Sequence, residues 1–388
     1  MIYRQITFNF WGIYMKKNLV ILFGGDSTEH DISIVSAFYV LKYIDEYLYK
    51  PILIYIDRNN NFFKIQKVHD VMEFTQNKKF ERVQMLDGKV FKYKGKKLVK
   101  VCNVDAVLPI MHGINGEDGC IAGFLKLNNF VAVTPSIDTA VVGMDKALFK
   151  KCVGEIAPVL KCEEFTKNDL GVVTSKCLDI KNNIGFPCII KPARQGSSIG
   201  IEICENKENF EKTVKKCLNF DKKLIIEPFL TKFREFNIAV YRCQNGIVKS
   251  EIEEPMLRKK MLSFEEKYLN FSGLCGEKIK NIPPKISKKL YGEIALNASK
   301  VYEYLQCDGV IRFDFIYDKI NKKLYLNEMN TIPGSLALYL FAPKDKTETE
   351  VLNDVIRNAE RKWFVEHHNK PKYESDVLKM TSTAKFNK

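Results

Sequence analysis

A chain of 388 residues is too long for one small domain, so two or three compact units are expected, each burying its own core. Hydrophobic residues at 46% and charged residues at 28% give the balance of a globular protein and exclude a disordered or fibrous chain. The net charge of +14 comes mainly from lysines scattered over helix faces and loops, with no arginine-rich helix or aromatic-spaced basic stripe, so nucleic acid is not an expected partner.

Residues 1–14 contain a short apolar run, Phe8 to Tyr14, but no small-residue cleavage pattern. Met15 directly precedes Lys16, Lys17 and a clean strand, so the first fourteen residues read as an appendage or a misassigned start. No run has the apolar length of a membrane span, and no membrane partner is expected. The 11 cysteines include no Cys-x-x-Cys pair and no zinc-like His spacing, and they read as reduced thiols of a cytoplasmic protein.

From Asn18 to Phe23 the chain is continuously apolar after its first residue, then come Gly24-Gly25 and a helical pattern from Asp31. Buried strands are expected at PILIYI from Pro51 and VDAVLPI from Val104, with a lysine-rich hairpin between them. A helix after Glu117 and a strand NFVAV complete an open α/β layer of mainly parallel strands, taken as residues 1–145. Residues 146–226 read as a smaller α+β unit: a helix from Lys146, strands GFPCIIK, IGIEI and KKLIIE, and a helix from Glu205. Residues 227–388 add the strand REFNIAVY, a Lys/Glu-rich loop through Tyr268, a helix around Lys288 to Leu305, strands GVIRFDFIY and KKLYLNEMN, and a charged closing helix.

Side chains two apart on a strand share a face, so Arg312 and Asp314 point together, as do Glu328 and Asn330. Pairing of the two strands would bring two carboxylates, an amide and a guanidinium to one place, a set suited to magnesium and phosphate. A hairpin with a merely solvated charged face is the other reading. The charges lie within otherwise apolar strands, and Thr331-Ile332-Pro333-Gly334 follows as a turn whose N–H groups could face an anion. Lys191 to Gly200, KPARQGSSIG, offers a lysine, hydroxyls and amides in one turn that would suit a triphosphate or an ordinary hairpin; it lacks the P-loop order. Gly24 to His30 lacks the Gly-x-Gly-x-x-Gly of a dinucleotide site. Glu29 and His112 follow different strands of one sheet and could meet at its carboxyl edge, or serve as caps.

The segments GGDSTEHDISIVSA, LPIMHGINGEDGCIAGFLKL, MDK, KPARQGSSIG, EPFLTKFREFNIAV, EEKYL and IRFDF with LNEMNTIPG run in one order from about Asn18 to Gly334. In that order they resemble the D-alanine:D-alanine ligases of the ATP-grasp superfamily. The resemblance implies an ATP-grasp fold, α/β and α+β, with an N-terminal open parallel-sheet, Rossmann-like domain, a central lid and a C-terminal catalytic domain. It implies ATP-dependent joining of two D-alanines through an acyl-phosphate for peptidoglycan synthesis, with two magnesium ions, or manganese in their place, in a cytoplasmic homodimer.

Residue by residue, Lys146 and Lys191 match lysines placed on ATP, Glu227 and Glu235 match the adenine-hinge and ribose groups, and Ser197 and Ser198 lie on the phosphate-covering loop. Asp314, Glu328 and Asn330 match metal ligands, and Arg312 and Gly334 match the groups that hold the acyl-phosphate and the tetrahedral intermediate. Lys267 and Tyr268 match a loop pair that closes on the γ-phosphate. Tyr268 links with Ser197 to Glu29, which matches the residue on the first amino acid's ammonium; His112 and Glu117 line that pocket.

Two departures stand out. Tyr339 falls where many members carry a serine for the second substrate's carboxylate, with Ser335 as a shifted substitute, and the step from Glu227 to Glu235 is one residue longer than in many members. The acceptor therefore stays open between D-alanine, which Tyr268 favours, and D-serine, D-lactate or another amine. The rival from another class is a non-catalytic nucleotide-binding relative, against which the full set of metal and phosphate residues argues.

Overall fold

Strand β1 (Lys17–Gly24) presents five consecutive apolar residues, Leu19 to Phe23, and all five are fully buried. A strand apolar on both faces needs cover on both, as in the middle of a parallel sheet. The computed structural model, which describes residues 15–66, 68–77, 79–255, 281–369 and 375, provides it. β1 runs parallel to β2 (Tyr49–Ile56) on one side and to β7 (Ala106–Ile110) on the other. Helix α1 (His30–Leu41) packs Ile34, Ala37 and Phe38 on Leu19, Ile21 and Phe23, while α3 (Cys120–Leu127) packs Ile121 and Leu125 on Val20 and Leu22.

The expectation of mainly parallel strands needs correction. The sheet has seven strands in the order β6-β5-β4-β3-β2-β1-β7, and β3 (Phe62–Ile65), β4 (Phe80–Leu86), β5 (Lys89–Lys94) and β6 (Lys97–Asn103) extend it antiparallel. Connection length explains the change, because a parallel crossover needs a dozen or more residues. β4 and β5 are joined only by Asp87-Gly88, both at positive φ as a tight hairpin turn requires. The short helix α2 (Val71–Gln76) lies between β3 and β4. The expected strand NFVAV is reduced to one parallel bridge, Val107 with Ala132.

Helices α4 (Ile137–Met144) and α5 (Lys146–Val153) lead to a second sheet of order β10-β9-β11-β8. Its strands are β8 (Glu163–Thr166), β9 (Cys188–Pro192), β10 (Glu202–Cys204) and β11 (Lys223–Pro228), packed on α6 (Val173–Asn183) and α7 (Phe210–Cys217) through Phe165, Ile190, Phe210 and Val214. The division expected between residues 226 and 227 falls inside β11.

A third sheet, β13-β12-β14-β15, is wholly antiparallel: β12 (Phe233–Cys243), β13 (Gly246–Glu253), β14 (Ile311–Asp318) and β15 (Lys323–Asn330). One face buries Phe236, Ile238, Phe313, Phe315 and Leu326 against α5 and α8 (Lys288–Tyr304). On the other face Ala239 and Tyr241 meet the closing helix α9 (Glu348–His368) and join the core of α1 and β1.

Gly24, which ends β1, has φ +93°, and a Cβ there would lie 2.2 Å from the Ile56 carbonyl oxygen. Gly24→Ala is therefore expected to lower stability by about 2 kcal/mol or more, from left-handed strain plus a backbone collision. A denaturant midpoint equal to that of the parent would contradict this.

Candidate active site

Register across the third sheet sets the site. Glu328 on β15 pairs with Asp314 on β14, Asp314 with Asn237 on β12, and Asn237 with Glu253 on β13. Directly opposed residues face the same way, so these four form one polar row across four strands. Arg312 and Asn330, themselves opposed, are the next pair along. Immediately after Asp314 the pairing shifts, since Phe315 opposes Leu326 and Asn327 becomes an extra residue. Such a bulge re-aims the strand end beside a site.

The Arg312 guanidinium grips Asp314 with two hydrogen bonds, Nε to Oδ1 at 2.7 Å and NH2 to Oδ2 at 2.8 Å. The Asn330 amide donates to the same Oδ2 at 3.0 Å. Burial, helped by the Glu328 charge, nonetheless raises the Asp314 pKa against the pull of Arg312. Two carboxylates brought together in a buried place are what a hard cation relieves. Magnesium asks for one or two protein carboxylates with substrate phosphates completing its shell, and Asp314 and Glu328 fit that demand. Among the described residues no group of three or more His, Cys, Asp or Glu would hold a metal by itself.

Positive charge approaches the row from the Glu328 end. Lys146, at the start of α5, lies 3.6 Å from Glu328 Oε2 and donates to the Gln195 carbonyl at 2.7 Å. Lys191 on β9 is buried and held 2.6 Å from Glu227, whose other oxygen lies 2.6 Å from Lys150. Burial alone would raise the Glu227 pKa, but Lys191 and Lys150 bring it down to about 2. The trio therefore carries one net positive charge. Glu227 acts on the cleft through Lys191, because its own oxygens are taken by lysines. Lys150 lies one helical turn beyond Lys146, a spacing that could have revealed it.

Between β9 and β10 the loop bearing Ser197 and Ser198 has both residues at positive φ. The Ser197 hydroxyl donates to Glu29, and a Cβ at Gly196 would lie 2.9 Å from that carboxylate, so a larger residue there would push the Glu29 carboxylate aside. The first and second sheets thus meet at Glu29. The expected partners of that residue are nearby. His112 Nδ1 lies 2.8 Å from the Ile332 carbonyl, so it carries the proton, and its bare Nε2 accepts from the Ser36 hydroxyl at 2.9 Å. Ser36 Oγ accepts in turn from the Ser335 N–H at 3.1 Å. Burial lowers the His112 pKa and keeps the imidazole neutral.

Glu117 ties the same turn from the other side, accepting from Gly113 N–H at 2.9 Å and Ile332 N–H at 3.1 Å. Burial, with the Glu29 charge adding to it, pushes its pKa up to about 8. A substrate ammonium entering beside Glu29 and Glu117 would relieve that repulsion.

Gly334 opens a turn in which Ser335, Leu336 and Ala337 all adopt left-handed backbone. Ser335 is buried and contributes its N–H to Ser36, whereas the Tyr339 hydroxyl donates to Glu253 at 2.7 Å. Glu235 lies on the same face of β12 as Asn237, and its charge helps raise the Lys191 pKa. Lys267 and Tyr268 lie outside the described residues. Ser36, Lys150, Asn237 and Glu253 are site neighbours that sequence reading missed; the alternation Glu251-Ile252-Glu253 was a usable strand signal for the last.

Residues 18–134 match the family profile described as D-ala D-ala ligase N-terminus, and residues 155–356 match D-ala D-ala ligase C-terminus. The D-alanine–D-alanine ligase of Thermosipho melanesiensis is 33% identical over 347 residues, covering 87% of this chain and 92% of the relative. That of Clostridium acetobutylicum is 34% identical over 353 residues, covering 89% and 98%. Among solved structures, D-alanine–D-alanine ligase from Helicobacter pylori superimposes with a TM-score of 0.71 at 27% identity, covering 88% of this chain and 98% of that one. The VanG D-Ala:D-Ser ligase from Enterococcus faecalis gives 0.75 at 25% identity, covering 89% and 100%.

The raised Glu117 pKa has a sign that stability measurements can read. A carboxyl easier to protonate folded than unfolded supports the fold fully below its ordinary range, and that support is lost as pH rises through about 8. The stability of the parent relative to Glu117→Gln is expected to fall steadily from about pH 5 to about pH 8. A difference independent of pH would contradict the assignment.

Proposed function

The chain belongs to the D-alanine–D-alanine ligase family, and on that premise we propose how its cleft makes an amide bond. It is an ATP-dependent carbon–nitrogen ligase of the ATP-grasp fold that joins two D-alanines, giving D-alanyl-D-alanine, ADP and phosphate for peptidoglycan synthesis. The observation that carries the mechanism is the convergence of Arg312, Asp314, Glu328 and Asn330 beside Lys146.

A carboxylate has no adequate leaving group, so the first D-alanine must be activated by transfer of the γ-phosphoryl group of ATP. That transfer needs neutralised charge and alignment more than covalent help. Magnesium, when bound at Asp314 and Glu328 with Asn330 beside them, would supply charge to the phosphates. Lys146 and Lys191 bind the phosphates, Glu227 fixes Lys191 from behind, and the amides of the loop bearing Ser197 and Ser198 cover them. Glu235 is assigned to the nucleotide ribose, Lys267 to the phosphates and Tyr268 to the Ser197–Glu29 link on sequence resemblance.

Glu29 takes the first substrate's ammonium, and Glu117 and His112 hold the turn at Ile332 against it. Arg312 and the Gly334 N–H then stabilise the oxyanion that forms when the second amine, having lost a proton, attacks the acyl-phosphate. The C–N bond forms in that attack, and collapse of the oxyanion then breaks the C–O bond and releases phosphate. Holding three substrates in one cleft removes entropy worth up to roughly 7–11 kcal/mol in well-oriented systems. We further place this chemistry in the cytoplasm, in a homodimer, both on the resemblance; no helix among the described residues is long and apolar enough to cross a membrane.

Phosphate release with ATP, magnesium and D-alanine, against D-serine, D-lactate and other acceptors, is the direct test, and D-alanine is expected to support turnover. Absence of release with every acceptor would end the ligase reading. Glu328→Gln should lower turnover by roughly 10²-fold or more, as for loss of a transition-state electrostatic contact. Near-normal turnover would remove Glu328 from the metal site.

A further inference from the structure

Helix α5 and strands β9 and β11 meet at a buried cluster of three charged side chains. The side chain of Glu227 is 0% exposed, that of Lys150 3% and that of Lys191 10%. Each carboxylate oxygen takes one lysine, Lys150 on Oε1 and Lys191 on Oε2, both at 2.6 Å. Two cations around one anion leave a charge of +1 where a simple ion pair would leave none. An unbalanced buried charge is costly to hold, and an arriving anion relieves it. Lys191 is the most exposed of the three, so it is the member through which such an anion would be met.

We propose that Lys150 is a positioning residue for the nucleotide: by occupying one oxygen of Glu227, it leaves Lys191 its positive charge for the phosphates. The inference rests on the ligase reading above, which sets Lys191 on the phosphates. Without Lys150, Glu227 and Lys191 would form a closed neutral pair, and a phosphate would have to compete with the carboxylate for the ammonium. With it, Glu227 anchors Lys191 without cancelling it. Lys146 lies one turn earlier on the same face of α5, 3.6 Å from Glu328. The helix thus offers one lysine to the cleft directly and acts a second time through Glu227.

Neighbouring groups leave the count at +1. Burial opposes the Glu227 charge, but the two lysines keep the carboxyl ionised, with its pKa brought down to about 2. Burial also opposes the Lys191 charge, yet Glu227, with Glu328 and Glu235 adding to it, raises the Lys191 pKa. Glu328 has a cation of its own in Lys146. The Cys162 thiol, on which both Lys150 and Glu227 act, is pushed up by burial and adds no charge.

The test measures ATP affinity by calorimetry in magnesium buffer without D-alanine. Lys150→Met keeps the unbranched bulk of the side chain and removes its charge. It is expected to weaken ATP binding about tenfold or more, the size of one charge-assisted interaction. Adding Glu227→Gln to Lys150→Met removes the anion as well, returns a single positive charge to Lys191, and is expected to recover most of the lost affinity. A purely structural role for Lys150 predicts the opposite, because the second substitution would then only add to the damage. The proposal is overturned if Lys150→Met binds ATP like the parent, or if the double variant binds no better than Lys150→Met. Should Lys150→Met not fold, Lys150→Gln takes its place in the same comparison. A parent that binds no ATP would instead sink the ligase reading itself.

Discussion

Two-residue alternation on antiparallel strands is the constraint from which the rest of this molecule follows. Along β14 the side chains of Ile311, Phe313 and Phe315 enter the core over α8 while those of Arg312 and Asp314 face the cleft. Every apolar residue packed behind the sheet fixes the aim of a charged one in front of it. A slip of one residue would drive Asp314 into hydrocarbon and Phe313 into the cleft, so core packing and site geometry are the same specification.

Charge on the cleft face is balanced within short distances, in groups that substrate can rearrange. Glu227 is shared by two lysines, Arg312 is closed on Asp314, and Lys146 leans on Glu328. A buried pair of this kind adds little net stability over an apolar replacement, but removing one partner leaves an uncompensated charge at high cost. In the proposed reaction a triphosphate would bring the negative charge, and a divalent cation the positive, with which these pairs would exchange partners. In that proposed reaction the Ser197–Glu29 hydrogen bond would couple the exchange to the first amino acid, since it joins the loop between β9 and β10 to the first sheet.

Local chemistry decided what could be read beforehand. β1, β2 and β7 are apolar on both faces, and β14 and β15 alternate, so all five announce themselves, and with them Arg312, Asp314, Glu328 and Asn330. Strands β5 and β6 are lysine-rich, and β3 to β6 are all partly exposed, which leaves too little apolar signal to distinguish four strands from one hairpin. β13 was hidden in a Lys/Glu-rich stretch because its glutamates are buried by partners distant in sequence, Glu253 by Tyr339 and Glu251 by Lys344. Ser36 sits mid-helix in α1, where a serine carries no signal; only the fold brings His112 and Ser335 to it. Pairing direction depends on connection lengths and on which helix covers which face, so the parallel character of the first sheet was overestimated.

One core has a history to it. Leu19, Ile21 and Phe23 near the start of the described chain pack with Phe341, Val351 and Ile356 near its end, and Lys17 closes on Glu360 at 2.7 Å. The first sheet and the last helix are thus a single packing unit interrupted by the second sheet, which has a separate core of its own. As material for evolution the two ends are inseparable: a recombination that exchanged the first sheet without α9 would expose both. The second sheet can be exchanged without opening that core, provided the replacement keeps Lys191, Glu227 and the loop that carries Ser197 to Glu29.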